Sequence, residues 1–292
     1  MISFVLQFVP LLRCVRLVML ALFLAFIPAA AYPQTVALLN PEKAAHSETI
    51  SKTLGTSLEK NNIRVLDFSL GAAVFFSKDF KNPFNLTTSE ARNLGNGIGC
   101  NFFVLVRSGL QRRSSFERKE YYESFVALYV VNSQTGRLRS WIFKKFEKET
   151  PQLSKTFLDK YIEETAVKLV LESIRRSVEG VRNTAATRAV VSDENDPGKT
   201  GKPPLPYRRL KPKYTDLAAL YDIEATVDIE VEINEKGEVS KTDIVRWAGY
   251  GLDESVIKTV KEMQWRPGET NGKAFPMRIL LRYNFKNIET EE

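Results

Sequence analysis

The sequence predicts an α+β protein in which a mixed α/β domain precedes a smaller domain of strands and helices. Three observations lead to this prediction. Alternating apolar residues indicate strands, apolar residues three or four apart indicate amphipathic helices, and a polar stretch rich in Gly, Pro, Lys and Arg separates two patterned blocks. A chain of 292 residues has room for about two domains.

Composition excludes several classes of protein. The chain is 43% hydrophobic and 26% charged, as is typical of a globular protein, and its net charge of +7 suits contact with anionic surfaces. The densest basic cluster, Arg112, Arg113, Arg118 and Lys119, lacks an array of stacking aromatic residues. We therefore expect a solvated hairpin tip there and no nucleic-acid partner. Two cysteines cannot build a disulfide framework within a domain.

The N-terminus has the pattern of a membrane-targeting segment. Residues 17–31 carry no charge and follow two arginines, and a run of alanines at their end resembles a signal-peptidase site with cleavage before Tyr32. Residues 1–31 are therefore predicted to be a signal peptide or a membrane anchor. In the second case residues 2–31 anchor the protein in the inner membrane. Both interpretations export the rest of the chain.

Residues 35–178 are predicted to form one mixed α/β domain with the element order β-α-β-α-β-β-β-α. Within it, Thr88 or Ser89 is expected to cap a helix, residues 96–99 to form a glycine-rich turn, and residues 102–106 to extend as a strand. Two further strands are expected to meet in a hairpin at Thr135-Gly136, ahead of a long amphipathic helix.

Residues 179–210 are predicted to be a flexible linker. They are rich in Thr, Gly, Pro, Lys and Arg and have almost no periodic apolar content. Because patterned blocks lie on both sides, we expect the two domains to fold independently.

The block after the linker alternates clearly. The segment "IEATVDIEVEI" places every second residue, from Ile223 to Ile233, on one apolar face. Gly237 is expected to form a turn to a second strand, "LDESVIKTVKEMQW" has helical spacing, and Pro267 ends that helix. The segment "AFPMRILLRYNF" closes the block as a strand.

Several short motifs of this block occur in the order of a known family. They are Pro212-Lys213-Tyr214, Lys236-Gly237, Leu252-Asp253-Glu254, Trp265-Arg266-Pro267-Gly268 and Asn271-Gly272-Lys273. Through them residues 205–286 resemble the C-terminal domain of the TonB family. The resemblance implies that residues 211–286 form a small TonB-like domain, with two helices on a three-stranded antiparallel sheet.

The earlier block carries a second resemblance. Its element order and the phrase "SEARNLGNGIGCNFFVLVRSG" are similar to the α/β domains of exported envelope proteins, namely the N-terminal domain of TolB and the curli-secretion lipoprotein. The resemblance covers residues 35–178. With the targeting segment, it implies a periplasmic location.

The sequence offers no constellation for catalysis. The only histidine, His46, is expected to be exposed on the first helix, and no histidine–cysteine cluster can complete a zinc site. The segment "LGNGIG" follows a helix and precedes a strand, which is the reverse of the order in a dinucleotide-binding fingerprint. We therefore predict no catalytic residue, no cofactor and no metal, and a protein that is not an enzyme.

The TonB resemblance implies a site for partner proteins. In that family the outer strand of the sheet leaves an edge that an extended peptide can join. The predicted docking residues are those of the last strand: Phe275, Met277, Arg278, Ile279, Leu280, Leu281, Arg282 and Tyr283. The implied partner is an outer-membrane transporter or another envelope protein.

Two functions remain open at this point. One is an energy transducer coupled to an inner-membrane proton-channel complex, for uptake through outer-membrane transporters. In the TonB family the anchor helix carries a serine and a histidine for coupling, whereas residues 1–31 contain no histidine and only Ser3. The alternative is an exported periplasmic binding or adaptor module without energy coupling.

Overall fold

The computed structural model describes residues 34–184, which form the N-terminal part, and residues 201–287, which form the C-terminal part. The predicted signal peptide or anchor, residues 1–31, lies outside the described residues, as does the middle of the predicted linker. Within the described ranges no helix has both the length and the apolar character that crossing a membrane requires.

A five-stranded mixed sheet forms the centre of the N-terminal part. Its strands are β1 (Thr35–Leu39), β2 (Arg64–Val65), β3 (Phe102–Arg113), β4 (Tyr121–Asn132) and β5 (Leu138–Lys148). Their order is β2-β1-β3-β4-β5, with β1 parallel to both neighbours and the last three strands antiparallel. The middle strands are buried on both faces, which explains the continuous apolar runs "FFVLV" and "FVALYVV".

Helices cover both faces of this sheet. They are α1 (Ala45–Glu59), α2 (Phe68–Phe76), α3 (Thr88–Ile98), α4 (Pro151–Tyr161) and α5 (Val167–Thr184), and a π-helical turn (Ile162–Ala166) joins α4 to α5. On one face, α1, α4 and α5 bury apolar side chains such as Leu54, Leu158 and Val170 against the sheet. On the other face, α2, α3 and residues of the C-terminal part join the sheet in one buried apolar cluster.

The structure adds one helix, α2, to the predicted element order. Its sequence "FSLGAAVFF" is apolar on every side, so it lacks the period that identifies an amphipathic helix. The Asp67 carboxylate caps the helix by accepting the backbone N–H groups of Ser69 and Leu70. Gly71 lets the helix pack closely on Leu39 of β1.

The boundaries of α3 differ from the predicted cap and turn. Thr87, one residue before the predicted caps, forms a capping box with Glu90. The helix then continues through most of the predicted turn at residues 96–99, and only Gly99 has a left-handed φ, of 78°. Gly95 serves close packing, since a Cβ there would lie 2.4 Å from a serine side chain after β4.

The C-terminal part contains the predicted three-stranded antiparallel sheet with two helices. Its main elements are α6 (Asp216–Leu220), β8 (Ala225–Ile233), β9 (Val239–Arg246), α7 (Leu252–Glu262) and β13 (Met277–Phe285). The strand order is β13-β8-β9, and the turn between β8 and β9 has the expected glycine, Gly237, at φ 78°. Apolar side chains of α7 pack against the inner face of the sheet.

Short strands complete this part and reach into the predicted linker. They are β6 (Gly201–Lys202), β7 (Leu205–Pro206), β10 (Trp265–Arg266), β11 (Gly268–Thr270) and β12 (Lys273–Phe275). β6 and β12 pair with β11, and β7 pairs with β10. Both described stretches of the predicted linker, residues 179–184 and 201–210, therefore contain regular structure, because α5 continues to Thr184 and β6 and β7 lie in the second stretch.

The two parts meet in an aromatic interface. The N-terminal part contributes side chains from its sheet and the C-terminal part contributes side chains from two loops: Tyr129, Trp141, Phe143, Tyr221, Trp247 and Tyr250. The ring centroids of Trp141 and Tyr250 are 4.9 Å apart, and those of Tyr129 and Trp247 are 5.6 Å apart. Rings at these distances attract one another beyond the gain from their burial.

Hydrogen bonds cross the same interface. The Asn85 side chain donates to the carbonyl oxygens of Thr226 and Trp247, at 2.8 Å each, and accepts the N–H of Thr226 at 2.9 Å. The Tyr129 hydroxyl donates to the carbonyl oxygen of Ala248 at 3.3 Å. The chain from Gln34 onward forms one compact unit. This interface favours joint unfolding of the two parts over the independent folding that the linker sequence predicts.

Candidate strand-docking site

Strand β8 is the centre of the C-terminal sheet and sets the position of both neighbours. Its inner side chains, from Ala225 to Ile233, are buried under α7. Since successive side chains of a strand point to opposite faces, Asp228, Glu230 and Glu232 share the outer face. This places a row of three carboxylates along the middle of the sheet.

Strand β13 forms one edge of this sheet. It pairs with β8 in unbroken antiparallel register, from Met277 opposite Ile233 to Phe285 opposite Ala225. In the described ranges no strand pairs with its other side. That side therefore presents a row of backbone N–H and C=O groups to which a further strand can pair.

The structure places all but one of the predicted docking residues in β13. Phe275 is the exception, because it lies in β12 and is exposed. On the inner face four side chains are half-buried: Met277, Ile279, Leu281 and Tyr283. On the outer face three side chains are exposed: Arg278, Leu280 and Arg282.

The opposite edge, β9, is poorly suited to strand addition. Its register with β8 is interrupted twice, and bulges of this kind protect the edges of natural sheets. Arg246, at its end, forms a β-bridge with Thr87 of the N-terminal part, and Asp243 forms an ion pair with Arg137. Of the two edges, β13 is therefore the regular and accessible one.

The arginines of β13 are held by the carboxylates of β8. Arg282 donates to Asp228 from Nε at 2.7 Å and from Nη2 at 3.0 Å. Arg278 lies 3.7 Å from a Glu230 oxygen and 3.5 Å from a Glu232 oxygen. These cross-strand pairs fix the arginine side chains over the outer face.

Asp228 connects strand β13 with the N-terminal part. Its side chain is almost fully buried and also accepts a hydrogen bond from Nε of Arg246 at 3.1 Å, while Nη1 of Arg246 donates to the Asn85 carbonyl at 3.1 Å. Burial disfavours ionised Asp228, but the hydrogen bonds from Arg282 and Arg246 outweigh burial and lower its pKa below the usual value. Polar contacts thus run from Arg282 of β13 through Asp228 and Arg246 to Asn85 of the N-terminal part. The sequence did not predict this series of contacts.

The other residues considered for chemistry have structural roles. His46 is largely buried, contrary to expectation, and its Nε2 lies 3.2 Å from an Asp159 oxygen. Cys100 is buried, and burial raises the pKa of its thiol. Arg113 of the basic cluster forms an ion pair with the buried Glu123. No group of potential metal ligands occurs in the ranges that the structure describes.

Comparison with known proteins identifies the C-terminal part. Residues 211–287 match the family model described as Gram-negative bacterial TonB protein C-terminal. The solution structure of the Pseudomonas aeruginosa TonB C-terminal domain matches with 20% identity and a TM-score of 0.26, covering 29% of this chain and 87% of that one. No curated protein matches the chain in sequence.

Two further solved structures match about half of the chain. The hypothetical protein CT253 from Chlamydia trachomatis is 12% identical, with a TM-score of 0.32, and the match covers 50% of this chain and 95% of that one. The lipoprotein GNA1162 from Neisseria meningitidis is 10% identical, with a TM-score of 0.29 and coverage of 52% and 99%. From the family model and the strand order together, residues 211–287 of this chain are a TonB-like C-terminal domain.

Proposed function

We propose that this chain is an exported cell-envelope protein that captures an extended segment of a partner protein as an additional strand along β13. The observation that supports the proposal is the regular free edge of β13, nine residues long, beside a second edge that is interrupted and partly occupied. Main-chain hydrogen bonds along such an edge provide affinity, and pockets for alternate side chains provide specificity.

The TonB resemblance supports a partner in the outer membrane. Under this proposal the protein is in the periplasm, is anchored in the inner membrane by residues 2–31, and binds the periplasm-facing segment of an outer-membrane transporter. Coupling to an inner-membrane proton-channel complex would make it an energy transducer for uptake. Residues 1–31 contain no histidine, so the histidine that the TonB resemblance implies for coupling is missing from this segment.

The alternative is an adaptor that holds an envelope partner without transmitting energy. The aromatic interface favours it, since a docked C-terminal domain has less freedom to reach across the periplasm than one on a free spacer. The N-terminus of the mature protein separates the two proposals. A mature chain that begins at Tyr32 has no inner-membrane anchor and supports the adaptor.

Amide hydrogen exchange tests the docking proposal directly. Alternate amides of β13 bond to β8, whereas the amides between them face the free edge and should exchange fast. Adding a synthetic peptide from the N-terminal segment of an outer-membrane transporter should protect these fast amides, with no change in β9. A peptide that binds and leaves every β13 amide unprotected would show that docking occurs elsewhere.

A pair of proline variants provides the second test. Neighbouring amides point in opposite directions, so Leu280→Pro and Leu281→Pro remove one outward and one inward donor. Exchange rates show which of the two is outward. The proline variant that removes the outward donor should keep its melting temperature and lose peptide binding. The proline variant that removes the inward donor should destabilise the sheet. Leu280→Ala and Leu281→Ala serve as controls for the lost side chains.

A further inference from the structure

Two rows of side chains on the outer face of the C-terminal sheet alternate in charge from strand to strand, and the row between them consists of Leu280, Glu230 and Asp243. In the register of the sheet, Glu232 of β8 lies between Arg278 of β13 and Lys241 of β9. Asp228 lies in the same way between Arg282 and Arg246. Opposite charges in adjacent strands stabilise a sheet and like charges destabilise it. The two rows therefore read positive, negative, positive across three strands.

The two edge arginines keep binding capacity on the outer face. Asp228 engages Nε and Nη2 of Arg282, and Nη1 takes no part in these bonds. The Arg278 nitrogens lie 3.5 and 3.7 Å from the glutamate oxygens, which is longer than an ordinary hydrogen bond. Their side chains are 59% and 45% exposed. A guanidinium has five N–H donors, so each arginine can accept a further carboxylate.

Apolar side chains lie between and behind the arginines. Leu280, between them on the outer face, is 58% exposed. On the inner face, Ile279, Leu281 and Tyr283 are half-buried against the core. Because β13 is an edge strand, an added strand would lie beside these side chains. An added strand would cover these side chains with its own inner residues, which gains free energy only if those residues are apolar.

We propose that the β13 edge selects an extended acidic segment. The outer face of the added segment carries a carboxylate opposite Arg278, an apolar side chain opposite Leu280 and a second carboxylate opposite Arg282. The inner face of the added segment carries apolar side chains. The proposal rests on strand addition at β13 and names the chemistry of the partner. The recognition pattern is therefore acidic residues four positions apart with three apolar residues between them.

Three synthetic peptides of seven residues test this pattern on the full-length protein. The first has glutamate at positions 2 and 6, valine at positions 3 to 5 and threonine at both ends. The second and third carry glutamine or lysine at positions 2 and 6. We expect the acidic peptide to bind about three- to tenfold more tightly than the glutamine peptide, and the lysine peptide to bind most weakly. Salt of about 1 M should remove most of this difference.

The outcomes separate the two proposals. If none of the peptides protects β13 amides from exchange, strand addition itself is wrong. If the acidic and glutamine peptides protect β13 and bind equally, strand addition holds and the acidic selectivity is wrong. A preference for the lysine peptide would also overturn the selectivity.

A charge-reversal variant locates the effect. Arg278→Glu should weaken the acidic peptide about three- to tenfold and strengthen the lysine peptide, while Arg278→Gln should bring the acidic and glutamine peptides closer together. Arg278 is the better position, because replacing Arg282 leaves the buried Asp228 with one cation fewer. Unchanged discrimination in Arg278→Glu, in a protein that melts normally, would assign the selectivity to another surface and overturn the proposal.

Discussion

Replacement of Trp141 by alanine should destabilise the C-terminal part, although Trp141 belongs to the N-terminal part. Its ring stacks on Phe143 at 5.5 Å and contacts Tyr250 of the C-terminal part at 4.9 Å. Truncating a fully buried tryptophan costs about 3–5 kcal/mol, and Trp141 is partly exposed, so we expect about 2 kcal/mol. For a unit of this size that corresponds to a fall in melting temperature of about 4–8 °C.

The chain itself provides a selective probe. It contains three tryptophans, and once Trp141 is replaced, the remaining two, Trp247 and Trp265, both lie in the C-terminal part. Fluorescence then follows unfolding of the C-terminal part alone. The matched control is Trp141→Phe, which has the same two fluorophores and keeps a ring against Tyr250.

Urea titrations of the two variants give the answer. With a denaturant slope of about 3 kcal/mol/M, a loss of about 2 kcal/mol lowers the midpoint of Trp141→Ala by about 0.7 M relative to the unaltered protein, and the midpoint of Trp141→Phe should lie between the two. Circular dichroism, which follows both parts, should give the same midpoint as fluorescence in the control. Equal fluorescence midpoints for the two variants would refute the reasoning and show that the parts unfold independently.

Three further predictions concern single positions. The lowered pKa of Asp228 means that its contribution to stability is complete above about pH 4 and is lost as the pH falls through the lower folded pKa. The urea midpoint should therefore fall between pH 6 and pH 2.5, and it should fall less in Asp228→Asn because an asparagine side chain does not titrate. Ile229→Asp buries an unpaired carboxylate in the C-terminal core, which costs several kcal/mol. Native Trp265 fluorescence together with the chemical-shift dispersion of a folded sheet in an NMR spectrum would contradict this. Gly136→Ala should cost more than the roughly 1 kcal/mol of a left-handed alanine, because φ is 68° and its Cβ would overlap a carbonyl oxygen of α3; a melting temperature within 1–2 °C of the unaltered protein, about the change expected from less than 1 kcal/mol, would be evidence against it.

The elements with a strong period were predictable. The alternation of β8, the glycine turn at Gly237 and the final strand all follow from the sequence, and the structure has them in place. Helix α2 was not predictable from periodicity, since its residues are apolar in every direction. The glycine-rich end of α3 resembles a turn in sequence, but Gly95 lies within the helix, where a larger residue would overlap the Ser133 side chain.

The charged residues on the outer face of β8 and β13 could be predicted only in part. Acidic residues at alternate positions in "VDIEVEI" and arginines in "RILLR" predict an outward-facing polar row on each strand. Asp228 is nevertheless buried beneath Arg246 and Arg282, and the sequence does not show this because these partners lie 18 and 54 positions further along the chain. Likewise, the sequence shows that Tyr250 is aromatic, but not that its partner is Trp141. The local spacing of apolar and polar residues does not show which residues far apart in the chain contact each other.

The aromatic interface also governs how the N-terminal part can be handled in isolation. A chain cut after α5 would contain all five strands of the first sheet but would expose Tyr129, Trp141 and Phe143 to water. Aromatic side chains bury about 150–250 Å² each, so three of them add about 450–750 Å², which is comparable with or larger than the largest apolar patch of a typical monomer, roughly 300–600 Å². Such a truncated protein should aggregate when expressed alone and regain solubility when the rings are replaced by polar residues. The C-terminal part therefore also covers an apolar face of the domain before it.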